Sequence, residues 1–185
     1  EYAEIMTLGN AIDFGDLSLL SDSGNASGVS NPTRGFIGGT LTNPSSPVTS
    51  SNIDVFVISS KGNAVKFGDL TVARRRVAGA SNSVRGVFGG GDNPYFNTID
   101  YITLASEGDA IDFGTLSSDR ASATGVSNHR RVVFCGGTPS YPAGVNIIEF
   151  VEIATTGNAQ GFGDLSEARW GMSGVSDAHG GLGGY

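Results

Sequence analysis

Short apolar runs alternate with polar, glycine-punctuated turns along the whole chain, and the order in which they occur repeats. Between Asp100 and Gly137 the chain reads an apolar run (Tyr101, Ile102, Leu104), a polar turn (Ser106 to Asp109), Ala-x-x-Phe-Gly-x-Leu ending at Leu116, Arg120, the small-residue segment Gly125 to Ser127, Arg131, and an apolar run closed by Gly136 and Gly137. The same succession appears four times. Phe14, Phe67, Phe113 and Phe162 each open a Phe-Gly-x-Leu word, at spacings of 53, 46 and 49 residues. A period of this size marks supersecondary units that cannot bury their apolar faces alone and depend on their neighbours for a core.

Acidic-aromatic pairs divide the chain into repeats of about 1–53, 54–99, 100–148 and 149–185, and each repeat predicts four short strands. The first covers Tyr2 to Thr7, Val55 to Ser59, Tyr101 to Ala105 or Phe150 to Ala154, where β-branched and aromatic residues favour a pleated surface. A hairpin corner follows at Gly9-Asn10, Gly62-Asn63, Gly108-Asp109 and Gly157-Asn158, because Gly with Asn or Asp accepts the backbone angles of a tight turn. The second strand carries Ala-x-x-Phe-Gly-x-Leu. The third carries Gly-x-Ser, from Gly28, Gly79, Gly125 and Gly174, the small residues expected where backbones crowd together. The fourth is apolar and ends in a glycine pair: Gly38-Gly39, Gly90-Gly91, Gly136-Gly137 or Gly183-Gly184. Loops after these pairs differ most, through Asn43 to Pro47, Asp92 to Asn97 and Thr138 to Ala143. No segment holds a helical period, and 29 glycines disfavour helices. The expectation is one all-β domain over 1–185, with units of four antiparallel strands arranged as propeller blades rather than solenoid rungs.

Arginine, a small-residue strand, an apolar strand, Gly-Gly, a variable loop, an acidic-aromatic strand and then an aromatic before the next arginine: this order resembles the kelch repeat over essentially the whole chain. Phe14, Phe67, Phe113 and Phe162 stand where kelch blades usually carry Trp, and the hairpin before them is longer. The Gly-Asn-Ala and Phe-Gly-Asp-Leu words resemble kelch-like arrays in tail-fibre and other virion proteins of bacteriophages, particularly marine ones. The resemblance implies a kelch-like β-propeller. Because the sequence begins with the strand pair that follows a variable loop and ends at Gly183-Gly184 just before one, the expectation is four blades closed by a blade shared between the termini, or else part of a larger ring. The resemblance also implies a virion or extracellular location and partners among other virion subunits or a host-surface glycan or receptor, with homo-oligomers possible. The chain opens at Glu1 in mid-repeat, as a processed product or a piece of a longer polypeptide would.

Charge narrows the partners. A net charge of -7 opposes nucleic-acid binding, which needs a basic face, and Arg74-Arg75-Arg76 is the only basic run. No apolar stretch is long enough to span a bilayer as a helix, so membrane insertion is not expected. Cys135 is the single cysteine, which precludes an internal disulfide, and its apolar setting reads as a buried structural thiol.

Catalytic chemistry is thinly represented, so no catalytic residue, metal or cofactor is expected. His129 and His179 sit in polar corners without ligand-like spacing and read as solvated turn residues. Asp16, Asp69 and Asp164 are lone carboxylates beside glycine, better suited to capping turns than to holding calcium. Arg74, Arg120 and Arg169 could form a cationic ring for an anionic ligand, but their periodicity favours bonds to carbonyls of their own or a neighbouring unit; Arg34, Arg85 and Arg131 read the same way on the opposite face. The candidate ligand-binding surface is the face that gathers the variable loops: Asn93, Tyr95, Phe96, Tyr141 and Trp170, with Arg74 beside them. Aromatic plates with polar edges suit a sugar ring or a protein contact. The resulting expectation is a non-enzymatic interaction module; the alternative is a structural spacer or oligomerisation module without a receptor.

Overall fold

A computed structural model describes residues 1–4, 6–19, 26–42 and 48–176. Those residues form strands and turns, with no helix among them. Strands β1 (Ser27–Ser30), β2 (Arg34–Gly38), β5 (Asn52–Val57) and β6 (Val65–Asp69) make one antiparallel sheet in the order β1-β2-β5-β6. The hairpin β3 (Leu41–Thr42) and β4 (Val48–Thr49) projects from the connection between β2 and β5. A second sheet runs β7 (Ala78–Ser81), β8 (Arg85–Gly89), β9 (Thr98–Thr103), β10 (Ile111–Thr115). A third runs β11 (Thr124–Ser127), β12 (Arg131–Cys135), β13 (Val145–Glu152), β14 (Gln160–Arg169).

Each sheet therefore takes two strands from one sequence repeat and two from the next, a half-unit offset from the boundaries drawn at the acidic-aromatic pairs. Tyr2 to Thr7, expected as a strand, contributes one bridge, Tyr2 to Ile12. Among the described residues no further strand pairs with this hairpin, and two strands alone are marginal.

The core lies between sheets. Val29, Phe36, Ile53 and Phe67 of the first sheet pack with Phe88, Ile102 and Leu104 of the second. Val87, Ile99 and Phe113 of the second belong with Val132, Phe134 and Val151 of the third to another buried cluster. A β-bulge explains the Phe-Gly word: Phe67, Phe113 and Phe162 are each skipped in the register against the neighbouring strand. The extra residue lets Phe67 and Phe113 turn into the core while the following glycine faces the next unit.

At that glycine consecutive units clasp. The Gly62-Asn63-Ala64 corner sits on Phe14-Gly15-Asp16: Gly62 N–H donates to the Phe14 carbonyl (2.9 Å), Ala64 N–H to the Asp16 carbonyl (2.8 Å), and Asp16 N–H to Asn63 Oδ1 (3.0 Å). Ala110 N–H donates to the Asp69 carbonyl (2.8 Å) and Asp69 N–H to Asp109 Oδ1 (3.0 Å). Gly157-Asn158-Ala159 holds Phe113-Gly114-Thr115 through the same three bonds. A Cβ on Gly15 or Gly68 would lie 2.3 Å from the corner's carbonyl oxygen, and on Gly114 2.4 Å, so the approach requires glycine.

Toward the other edge, β1 packs on β7 and β7 on β11. Ser81 Oγ donates to the Ser30 carbonyl (2.9 Å) and Ser127 Oγ to the Ser81 carbonyl (2.8 Å), with Ser176 Oγ 3.4 Å from Ser127 Oγ. All four Gly-x-Ser words line one cavity of about 400 Å³. The same cavity reaches Ile37, Phe56 and Ile58 on the first sheet's far face.

Candidate functional site

Two sets of polar residues recur, and they lie in different places. The interior set centres on a buried acid in the third strand of each sheet. Asp100 is fully buried and takes Arg74 Nη1 (2.8 Å), Thr71 Oγ1 (2.6 Å) and Thr71 N–H (3.1 Å). Glu149 takes Arg120 Nη2 and the Ser117 N–H (3.1 Å). Asp54 takes Ser18 N–H (2.9 Å), Ser18 Oγ and Asn52 Nδ2 (2.7 Å). Ser18, Thr71 and Ser117 follow the leucine of the preceding unit, so each acid ties two units together.

Arg74 is thereby removed from the candidate surface, which is a correction to its expected place among the ligand-binding residues. It is 0% exposed, and its remaining donors reach the carbonyls of Gly90 (2.7 Å), Val72 (3.2 Å) and Phe88 (3.4 Å). A charge inside the protein must be paired and hydrogen-bonded there, and the buried Asp100 turns the guanidinium inward. Arg120 is equally buried; burial draws its guanidinium below the ordinary value while Glu149 works against that shift. Arg34 and Arg85 donate to the Leu104 and Ile153 carbonyls of the following sheet, and Arg131 pairs with Glu152 (2.6 Å).

The exterior set is the aromatic loop cluster. Bridges Arg75 to Asp92 and Ala121 to Thr138 bring the loops after the glycine pairs beside those carrying the arginines. Tyr141 (69% exposed) and Trp170 (42% exposed) meet edge to face at 5.3 Å between ring centroids. Trp170 Nε1 donates to the Pro142 carbonyl (3.1 Å), and the Tyr141 N–H donates to the Tyr95 hydroxyl (3.1 Å). Loops from two units and the segment after β14 thus hold one aromatic platform. Asn93 is exposed at the neighbouring turn with φ of 80°, while Phe96 is half-buried and its carbonyl accepts the Arg120 N–H (3.0 Å). The Asn93-Pro94 and Tyr141-Pro142 peptide bonds are cis.

Asp92 organises this surface and was not picked out as a candidate. It is buried, with Oδ1 2.8 Å from Arg75 Nε and Oδ2 3.3 Å from Arg76 Nη1. Its signal in the sequence is one acid straight after a glycine pair, in a chain whose sole basic run lies one strand pair earlier.

The other candidates are dispersed. His129 is exposed and its backbone carbonyl accepts Asn82 Nδ2 (3.0 Å); His179 lies outside the described residues. Asp69 holds Lys66 and Ser51, and Asp164 lies exposed on β14. Among the described residues no three His, Cys, Asp or Glu side chains gather as a metal site. The Cys135 thiol is half-buried and burial raises its pKa, with Arg120 opposing. The Asn43 to Pro47 loop and the terminal Gly183-Gly184 pair also lie outside the described residues.

No protein-family model matches the sequence, and comparison with curated proteins finds no match.

Proposed function

We propose that this chain is a non-enzymatic interaction module: a kelch-like β-propeller of four blades, closed by a blade shared between the termini, that binds its partner through the loops of one face. The radial reading is supported by the four Gly-x-Ser words around one cavity and by the units' repeated clasps. The binding role rests on one observation, the exposed Tyr141–Trp170 pair held by Tyr95 and Pro142. An edge-to-face pair held through the Trp170 indole N–H and the Tyr141 backbone N–H presents apolar ring surface in a preset arrangement, so little side-chain entropy is lost on binding. Asn93 and Tyr95 supply polar edges nearby. This chemistry fits the ring faces of a glycan, and the resemblance to phage fibre arrays makes a host-surface glycan, or another virion protein, the natural partner.

Glycan-array binding of the wild type, Tyr141→Ala and Trp170→Ala tests the reading. The expected result is a carbohydrate signal that each substitution abolishes while the far-ultraviolet circular dichroism is unchanged. Wild-type protein that retains no glycan, or variants that bind as well as the wild type, would overturn the glycan reading and leave the structural spacer.

A further inference from the structure

Three Phe-Gly-x words are occupied by the corner of a following unit; among the described residues none occupies the fourth. Phe67 and Phe113 are buried beneath their corners, whereas Phe162 is 59% exposed. A Cβ on Gly163 would meet no atom within 4 Å, where those on Gly15, Gly68 and Gly114 would strike a corner carbonyl. At the other end of the chain, Gly9-Asn10-Ala11 is an exposed corner of the type that occupies the other three words.

We infer that Phe162-Gly163-Asp164 is a docking site for a Gly-Asn-Ala corner, and that its occupant is this chain's own Gly9-Asn10-Ala11. The donors and acceptors match position by position: Ala11 N–H to the Asp164 carbonyl, and Asp164 N–H to Asn10 Oδ1, as in the three clasps already described. Own-chain docking is favoured because residues toward both ends of the chain line cavities that share a wall, Ile37, Phe56 and Ile58. Gly174 and Ser176 line the same 400 Å³ cavity as Ile37, Phe56 and Ile58, and those three residues also line a 790 Å³ cavity against Tyr2, Met6 and Phe14. A tether within one molecule gives an effective concentration on the order of millimolar, which a second copy in dilute solution does not match. The inference rests on the radial reading and gives its closure a specific contact.

Amide hydrogen exchange by NMR on the full chain tests it, with sedimentation establishing the mass. In dilute monomer, the Ala11 and Asp164 amides are expected to exchange at least about tenfold slower than unstructured amides, as closed hydrogen bonds do. Asn10→Ala should abolish that protection, whereas Asn10→Asp should keep it, because Asp109 fills the same place in one existing clasp. Both changes fall on an exposed residue, so Ala64, Ala110 and Ala159 should stay protected throughout and report that the fold is intact. Fast exchange at Ala11 with those three still slow would overturn the docking and leave the radial reading standing. Fast exchange at all four would defeat the radial reading itself. Protection that appears only as protein concentration and mass rise together would make a second copy the occupant and overturn docking within one chain.

Discussion

The first sheet and the second solve the same problem with different chemistry. Each buries a carboxylate on its third strand, Asp54 or Asp100, and each receives a hydroxyl and an N–H from the preceding unit, Ser18 or Thr71. In the second sheet Arg74 supplies a full countercharge, while in the first the neutral amide of Asn52 does the work; among the described residues no arginine bonds Asp54. The comparison separates two roles of the acid. Tying two units together needs only an acceptor for the preceding unit's Ser or Thr. The arginine serves the loop side, where it also satisfies the Gly90 and Phe88 carbonyls beneath the variable connections. The first repeat, which has no arginine between Leu17 and Gly28, therefore keeps an equivalent junction.

Breaking the charged version should cost most. Arg74→Ala leaves Asp100 buried without its countercharge and removes the bonds to the Gly90, Val72 and Phe88 carbonyls, a loss of about 3–5 kcal/mol by chemical denaturation. Neutralising both partners, as Arg74→Met with Asp100→Asn, removes the buried charges while keeping an acceptor for the Thr71 hydroxyl and N–H, and should recover part of that loss. A double variant as unstable as Arg74→Ala would show that the carbonyl bonds, rather than the ion pair, hold this junction. In the first sheet Asn52→Ala should cost less, about 1–3 kcal/mol, the range for a buried group left unsatisfied. Equal losses at the two positions would erase the distinction between charged and neutral junctions.

Much of this was readable in the chain, for identifiable reasons. Phe-Gly-x-Leu announced the repeat because a bulged aromatic and a close-approach glycine both restrict residue choice. Of the periodic arginines expected to bond carbonyls, Arg34, Arg74 and Arg85 do so, whereas Arg120, Arg131 and Arg169 bond carboxylates that the spacing alone did not point to. Gly-Asn-Ala was legible as a corner, but its grip on the preceding unit was not, since its partner lies 40 or more residues away. The acids, expected to open strands, lie inside β5, β9 and β13 instead, and their burial was not disclosed by the pattern. Arg74 was misplaced because a loop position tells on which face the backbone emerges, not which way a long side chain turns; only the buried Asp100 decides that. The aromatic cluster came together because Tyr95, Tyr141 and Trp170 sit in loops that the strand order places on one side.

The clasp itself should be worth less than either acid. Asn158→Ala removes one acceptor from the Thr115 N–H at an exposed junction, and a loss of about 0.5–1.5 kcal/mol is expected in a denaturant titration. Asn63→Ala should match it if the junctions are equivalent. A much smaller loss there would show that the first junction is looser, in keeping with the single-bridge hairpin it holds.

The smallest effect should be visible only in acid, at the end of β6. Asp69 occupies the place that Thr115 holds at the end of β10, so the two sheets again differ by one charge at equivalent points. A hydrogen bond from Lys66, followed by one from Ser51, holds the Asp69 carboxyl below its ordinary pKa. A depressed folded-state value means that the unfolded chain binds the proton first as pH falls. The contribution is therefore complete above about pH 5, and it is lost as pH drops through the folded-state value, below the ordinary carboxylate value of about 3.9. Melting temperatures of the wild type and Asp69→Asn should differ by a constant margin between about pH 5 and pH 7 and converge below about pH 4. The margin should be small, because the pair is solvent-exposed and screened. Thr115→Asp in the second sheet, which lacks a lysine at the position of Lys66, should produce no such acid-dependent margin. An equal margin there would assign the effect to the strand end rather than to the Lys66 and Ser51 bonds.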